Sequence, residues 1–142
     1  MIILALVYLV QLALAFTATV TTNLSDFSDS YDKLADGQSF DPGTSTELAN
    51  DCEEFIALSA EAPEVYFDWG QDIAIKTVYL MGSVLNNGDL IGLQIQIQES
   101  ASGAWISCPT VDGSGFYSCS VVGRNLKLLK TALGSKFTIC QV

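Results

Sequence analysis

From Phe55 to Val142 the sequence breaks into short β-rich runs at regular spacing, and no convincing amphipathic helix interrupts them. The clearest run is "LIGLQIQIQES", Leu90 to Ser100. There Leu93, Ile95 and Ile97 share one face of a strand while Gln94, Gln96 and Gln98 share the other. "EFIALSA", "EVYFDWG", "IAIKTVYLMG", "AWIS", "GFYSCS", "RNLKLL" and "KFTICQV" are parted by Gly, Ser, Pro or Asn. Pro63 blocks continuous pairing between the first two. Leu126 and Leu128 alternate with Lys127, and Phe137, Ile139 and Gln141 fall on one side of the last run. Seven or eight short strands with polar turns predict an all-β protein, an antiparallel β-sandwich. No internal repeat is visible.

The N-terminus reads differently. Ile2 to Ala15 is almost wholly apolar, broken by Gln11. It falls short of the roughly 20 residues that cross a bilayer as a helix. Ala13-Leu14-Ala15 supplies a small-x-small cleavage site, so residues 1–15 are expected to be a signal peptide, with a retained hydrophobic anchor as the other reading. Cleavage would leave 127 residues of the 142 (142 − 15), enough for one domain with a real core. Residues 16–32, rich in Ser, Thr and Asp, are expected to be an extended acidic lead-in, and residues 33–142 the domain. Asn23-Leu24-Ser25 is an N-glycosylation acceptor in a secreted chain.

Charge and missing residue types exclude several functions. The net charge is −10, and the imbalance sits early: Leu24 to Glu64 holds eleven acids against Lys33 alone, whereas five acids and five bases follow. A polyanion such as nucleic acid would be repelled by that segment. Histidine is absent, which rules out Ser-His-Asp and Cys-His catalysis and removes the commonest zinc ligand. No two-carboxylate hydrolase motif stands in its place, so the chain reads as a non-enzyme.

The four cysteines, Cys52, Cys108, Cys119 and Cys140, form no C-x-x-C pair. Behind a signal peptide they read as two disulfides, with three connectivities open. Cys108 and Cys119 flank "PTVDGSGFYS", whose Asp-Gly-Ser-Gly can turn the chain back on itself. That leans toward a local bridge, with Cys52 and Cys140 clasping the domain ends.

Taken in order, the residues resemble the discoidin and F-type lectin (fucolectin) domains. "ADGQ" (Ala35 to Gln38) and Cys52 precede "APEVYFDWGQDIAIKTVYLMG", in which Phe67-Asp68-Trp69-Gly70 stands where that family has Val-Asp-Leu-Gly. Ile73, Ile75 and Val78 follow in register. Cys119, Gly123 and Arg124 match a Cys…Gly-Arg element, and Cys140-Gln141-Val142 matches the ending. The resemblance spans roughly residues 33 to 142. It implies a galactose-binding-like jelly roll and the same disulfides, Cys52–Cys140 and Cys108–Cys119.

The family's functional groups carry over poorly. F-type lectins grip fucose with one histidine and two basic residues. Here the corresponding stretch, "GSVLNNGDLIG", holds no base at all. Of the family's calcium ligands, Asp36 is in place and Cys140 can offer its carbonyl. Lys33, Gln38 and Gln141, however, replace ligand side chains, and a lysine ammonium opposes a divalent ion. No cofactor is therefore expected, with calcium at Asp36 the one candidate.

The side-chain candidates for ligand contact are Asn86, Asn87 and Asp89, with Trp105 after "SASGA" as an aromatic platform. Asn-Asn-Gly-Asp is also ordinary turn chemistry. Arg124 reads as structural, behind a turn at Gly123, and Trp69 as core. Two functions follow from this reading. One is a secreted or cell-surface, lectin-like recognition module that binds a glycan or glycoprotein through loops at one end of the sandwich. The other is a non-catalytic structural or assembly subunit of an extracellular or membrane-associated complex. Membrane contact is expected only if the N-terminal segment is retained.

Overall fold

The computed structural model describes residues 18–24, 53–57, 60–82 and 87–139. The described strands are β1 (Thr19–Thr22), β2 (Glu53–Ile56), β3 (Glu64–Leu80), β4 (Gln94–Gln98), β5 (Trp105–Ser107), β6 (Gly115–Leu129) and β7 (Lys136–Ile139), with one 3-10 turn at Asn87–Leu90. They form a five-stranded sheet in the order β1-β3-β6-β4-β5 and a two-stranded sheet, β2-β7. Every pairing is antiparallel. Among the described residues no helix is long and apolar enough to cross a membrane. The architecture is the antiparallel β-sandwich that the strand pattern predicts.

Period-two patterning decides which face is buried. On β4, Ile95 and Ile97 are fully buried while Gln94, Gln96 and Gln98 stay half-exposed. Leu126 and Leu128 of β6 and Val65 and Phe67 of β3 line the same layer. Phe55 and Phe137 come from the smaller sheet, their ring centroids 5.1 Å apart. Burial of each such side chain contributes about 1.5–3 kcal/mol, and the two sheets share one apolar core. Thr138 of β7 is buried as well, and its Oγ1 has no hydrogen-bond partner among the described residues.

Three features depart from the sequence reading. "EVYFDWG" and "IAIKTVYLMG" are one strand of 17 residues, β3, and "GFYSCS" and "RNLKLL" are one strand of 15, β6. Their register shifts between Asp68 and Ile73 and again between Ile75 and Thr77. At the first shift Gly70 takes a φ of +71° and donates its N–H to Asp68 Oδ1 at 2.7 Å. Ser120, at φ +54°, lies across from the second. The breaks read between these runs are therefore bulges that bend a continuous ribbon rather than end it.

Gly123, expected at a turn, lies within β6. A Cβ there would fall 2.5 Å from the Gln98 carbonyl oxygen and 2.5 Å from Ile97 Cγ2. Close approach of β4, not turn formation, is what this glycine permits.

Finally, part of the expected lead-in belongs to the sheet. Thr19–Thr22 pairs with Val65–Asp68, and the segment is pinned by side chains. Asn23 Nδ2 donates to the Ala62 carbonyl at 2.9 Å and Asn23 Oδ1 accepts from Glu64 N–H at 2.8 Å. Thr22 Oγ1 donates to the Glu64 carbonyl at 2.8 Å. Four residues with one apolar side chain give little periodicity to read. The partner strand supplies the order.

Candidate functional site

Residues 1–15, Asp36, Cys52, Asn86 and Cys140 lie outside the described residues, so the expected signal segment, calcium ligands and clasp are not seen. Among the described residues no group of three or more His, Cys, Asp or Glu could hold a metal ion. The Cys108–Cys119 bridge is formed, with Cα atoms 5.1 Å apart. It ties β6 to the chain leaving β5, where Cys108 N–H donates to the Ile95 carbonyl at 2.8 Å.

The structure separates the expected ligand contacts. Asn87 and Asp89 belong to the 3-10 turn, which leads through Gly92 and Leu93 into the start of β4. Trp105 pairs with Gln98, at the other end of β4. The four steps from Gln94 to Gln98 alone span about 13 Å. Asp89 is also engaged elsewhere, its Oδ2 lying 3.8 Å from Lys136 Nζ on β7. Burial holds the nearby Lys130 ammonium below the usual lysine range, an effect that the Asp89 charge opposes. This turn docks on β7, and Trp105 belongs to another surface.

A better candidate lies on the far half of the β3–β6 ribbon. Tyr79 and Phe116 are cross-strand partners with ring centroids 4.7 Å apart. Phe116 is 76% exposed, a large apolar ring presented to solvent. Two residues along, and so on the same face, Thr77 pairs with Ser118, both exposed. Neither aromatic was singled out by sequence, because each sits in a run whose neighbours are buried. Only the strand phase separates Phe116 from the buried Tyr117 beside it.

The chain around this pair is firmly held. Gly82 N–H donates to Ser114 Oγ at 3.0 Å, joining the end of β3 to the turn before β6. The Tyr117 hydroxyl accepts from Asp112 N–H at 3.3 Å and donates its one proton to either Asp112 Oδ1 or the Gly113 carbonyl. Burial pushes the Tyr117 phenol up, and the Asp112 carboxylate adds to the shift. The hydroxyl is therefore a structural clamp, and the Tyr79–Phe116 pair rests on a fixed base.

A second polar surface covers the outer face of the five-stranded sheet. Across β3, β6, β4 and β5 the ladder reads Tyr66, Lys127, Gln96, Ser107, and the next same-face row reads Asp68, Asn125, Gln98, Trp105. Lys127 Nζ lies 4.6 Å from the Trp105 ring centroid and 5.8 Å from that of Tyr66. The Tyr66 and Trp105 rings meet edge to face, 6.2 Å apart. Tyr66 donates its hydroxyl to Glu64, and Asn125 Nδ2 donates to Gln98 Oε1 at 2.8 Å. Arg124 binds Asp68 through Nε and Nη2, the structural role expected for it. Trp69 is half-buried against the core, its ring 6.5 Å from Phe67.

No protein-family model and no curated protein matches this sequence. Solved structures do resemble it. The lectin domain of lectinolysin, complexed with Lewis B antigen, aligns at 12% identity with a TM-score of 0.63, over 89% of this chain and 91% of that one. A Streptococcus pneumoniae fucose binding module aligns at 9% identity and a TM-score of 0.67, over 89% of each chain. The fucolectin from striped bass (Morone saxatilis) serum aligns at 16% identity and a TM-score of 0.63, over 89% of this chain and 46% of that one. Identities this low speak to architecture alone, and the architecture this chain shares with these proteins is the β-sandwich.

Proposed function

We propose that this protein is a non-catalytic, secreted or surface-exposed glycan-binding module whose ligand packs on the Tyr79–Phe116 pair. The observation that carries the reading is Phe116, a ring 76% exposed yet held against Tyr79 on a braced ribbon. A sugar presents an apolar ring face edged by hydroxyls. Phe116 offers the apolar counterpart, and the exposed Thr77 and Ser118 offer hydrogen bonds beside it. The fold supports the reading, since the similar structures include a fucose binding module and a fucolectin. The absence of histidine favours a sugar other than one held by the histidine-based fucose grip.

A glycan array with and without calcium tests this reading. The expected result is binding to a defined glycan class, unchanged by chelation, and weakened at least about tenfold by Phe116→Ala. Because Phe116 is exposed, that variant keeps the wild-type circular-dichroism spectrum. A silent array, or full binding by the variant, overturns the proposal.

A further inference from the structure

We infer that the outer face of the five-stranded sheet is a second ligand surface, separate from the Tyr79–Phe116 pair, and that it takes a carboxylate-bearing oligosaccharide. The argument begins with Lys127. Its ammonium sits on two aromatic faces, 4.6 Å from the centre of Trp105 and 5.8 Å from that of Tyr66. The attraction of the rings holds the cation in place without consuming its N–H donors. Among the described residues no carboxylate lies within ion-pair distance of it.

The two acids nearest in the ladder are already committed. Asp68 accepts two hydrogen bonds from Arg124, and Glu64 accepts the Tyr66 hydroxyl. Lys127 is thus a positioned positive charge with no carboxylate partner among the described residues, and its short-range attraction for a carboxylate acts against the chain's net charge of −10. Charge complementarity selects an acidic ligand.

The neighbouring side chains say what kind of acid. Gln96 stands next to Lys127 on β4, and the linked pair Gln98–Asn125 forms the adjoining row. Amides both donate and accept, which suits the hydroxyls and ring oxygens of a sugar better than an aliphatic tail. Trp105 supplies an apolar ring at the edge of the row. Strands spaced about 4.8 Å apart carry these groups across the sheet in a line, matching an extended oligosaccharide rather than a single small anion.

The test uses the full-length protein and two probes, a galacturonate oligomer and the same oligomer with every carboxylate methyl-esterified. Binding is measured by titration calorimetry. The expected result is that the acid form binds at least about tenfold more tightly than the ester at low salt, and that added salt narrows the gap. Lys127→Gln lowers acid affinity to the ester's level, Lys127→Arg restores most of it, and Glu64→Gln raises it. Trp105→Ala weakens both probes. Failure of the wild-type protein to bind the acid oligomer overturns the inference, as does equal binding of acid and ester. Acid binding that survives Lys127→Gln but is lost in Phe116→Ala also overturns it, while leaving the proposed function standing.

Discussion

Arg124 and Asp68 meet on neighbouring strands in a two-pronged contact, Nε to Oδ1 at 2.8 Å and Nη2 to Oδ2 at 3.2 Å, just where β3 begins to bulge. Asp68 Oδ1 also accepts the N–H of Gly70 at 2.7 Å, so one carboxylate fixes the partner strand and the bulge together. Hydrogen bonds from Arg124 and then from Gly70 hold the Asp68 carboxyl below its ordinary value of 3.8. A carboxyl lowered in the folded state stabilises the fold above its unfolded pKa and loses that contribution as pH falls through the folded value. Both side chains are more than a third or close to it exposed, so the effect is small. Urea unfolding of Asp68→Asn should show a modest deficit at neutral pH that shrinks as pH falls below the ordinary aspartate value of 3.8 and through the lowered folded value. A deficit that stays constant with pH would mean the carboxylate charge contributes nothing.

Tyr66 gives the opposite pH signature. Burial first, and then the hydrogen bond and charge of Glu64, push its phenol up to about 12 from 10.0. The protonated form is favoured in the fold, so the contribution is complete below pH 10 and disappears as pH climbs toward about 12. Comparing tyrosinate absorbance titrations of the wild type and Tyr66→Phe isolates this group. A Tyr66 that ionises with the exposed tyrosines refutes the assignment.

Two glycines with crowded surroundings should respond unequally to alanine. At Gly123 the new methyl would meet the Gln98 backbone carbonyl at 2.5 Å, and β4 cannot withdraw without breaking its ladder with β6. At Gly82 the nearest atom is Leu90 Cδ1 at 2.7 Å, the end of a side chain that can rotate away. Gly123→Ala is expected to cost about 3 kcal/mol, at the upper end for overpacking, and Gly82→Ala about 1. Urea midpoints decide, and a reversed order would contradict the packing described.

The Cys108–Cys119 bridge closes a sequence separation of 11, for which the chain-entropy relation gives about 3 kcal/mol. The Cys108→Ala, Cys119→Ala double variant should lose about that much in unfolding free energy. A second bridge is expected. That bridge, Cys52–Cys140, is the one the sequence leans toward, and both cysteines lie outside the described residues. Peptide mapping without reduction should recover both linked pairs. Free thiols at Cys52 and Cys140 in native material would remove the clasp from the account.

How much of this was legible depends on which physical signal each residue sends. The alternation of Gln and Ile through β4 is visible locally, and Ile95 and Ile97 are buried as it requires. Arg124 was assigned a structural role, and the ion pair with Asp68 supplies it. Strand ends were less readable, because Gly70 and Gly123 send the same local message as a turn while serving as a bulge and a close contact. Strand β1 was hidden for the reverse reason, since its order comes from residues 42 or so positions away rather than its own sequence. The surface candidates divided similarly. Trp105 stood out by residue type, but its companions Tyr66 and Lys127 come from other strands, and only the sheet brings the three together. Phe116 was invisible until strand phase showed which ring faces water.

The long paired strands β3 and β6 have a consequence for how the molecule comes apart. Their near halves pair with β1 and β4, with β5 beyond β4, while past the end of β3 Gly82 lies close to the Thr138 backbone of β7. Among the described residues one spine therefore runs past both layers. Loss of order in that spine should dissolve the whole molecule in one step, and with it every surface it displays.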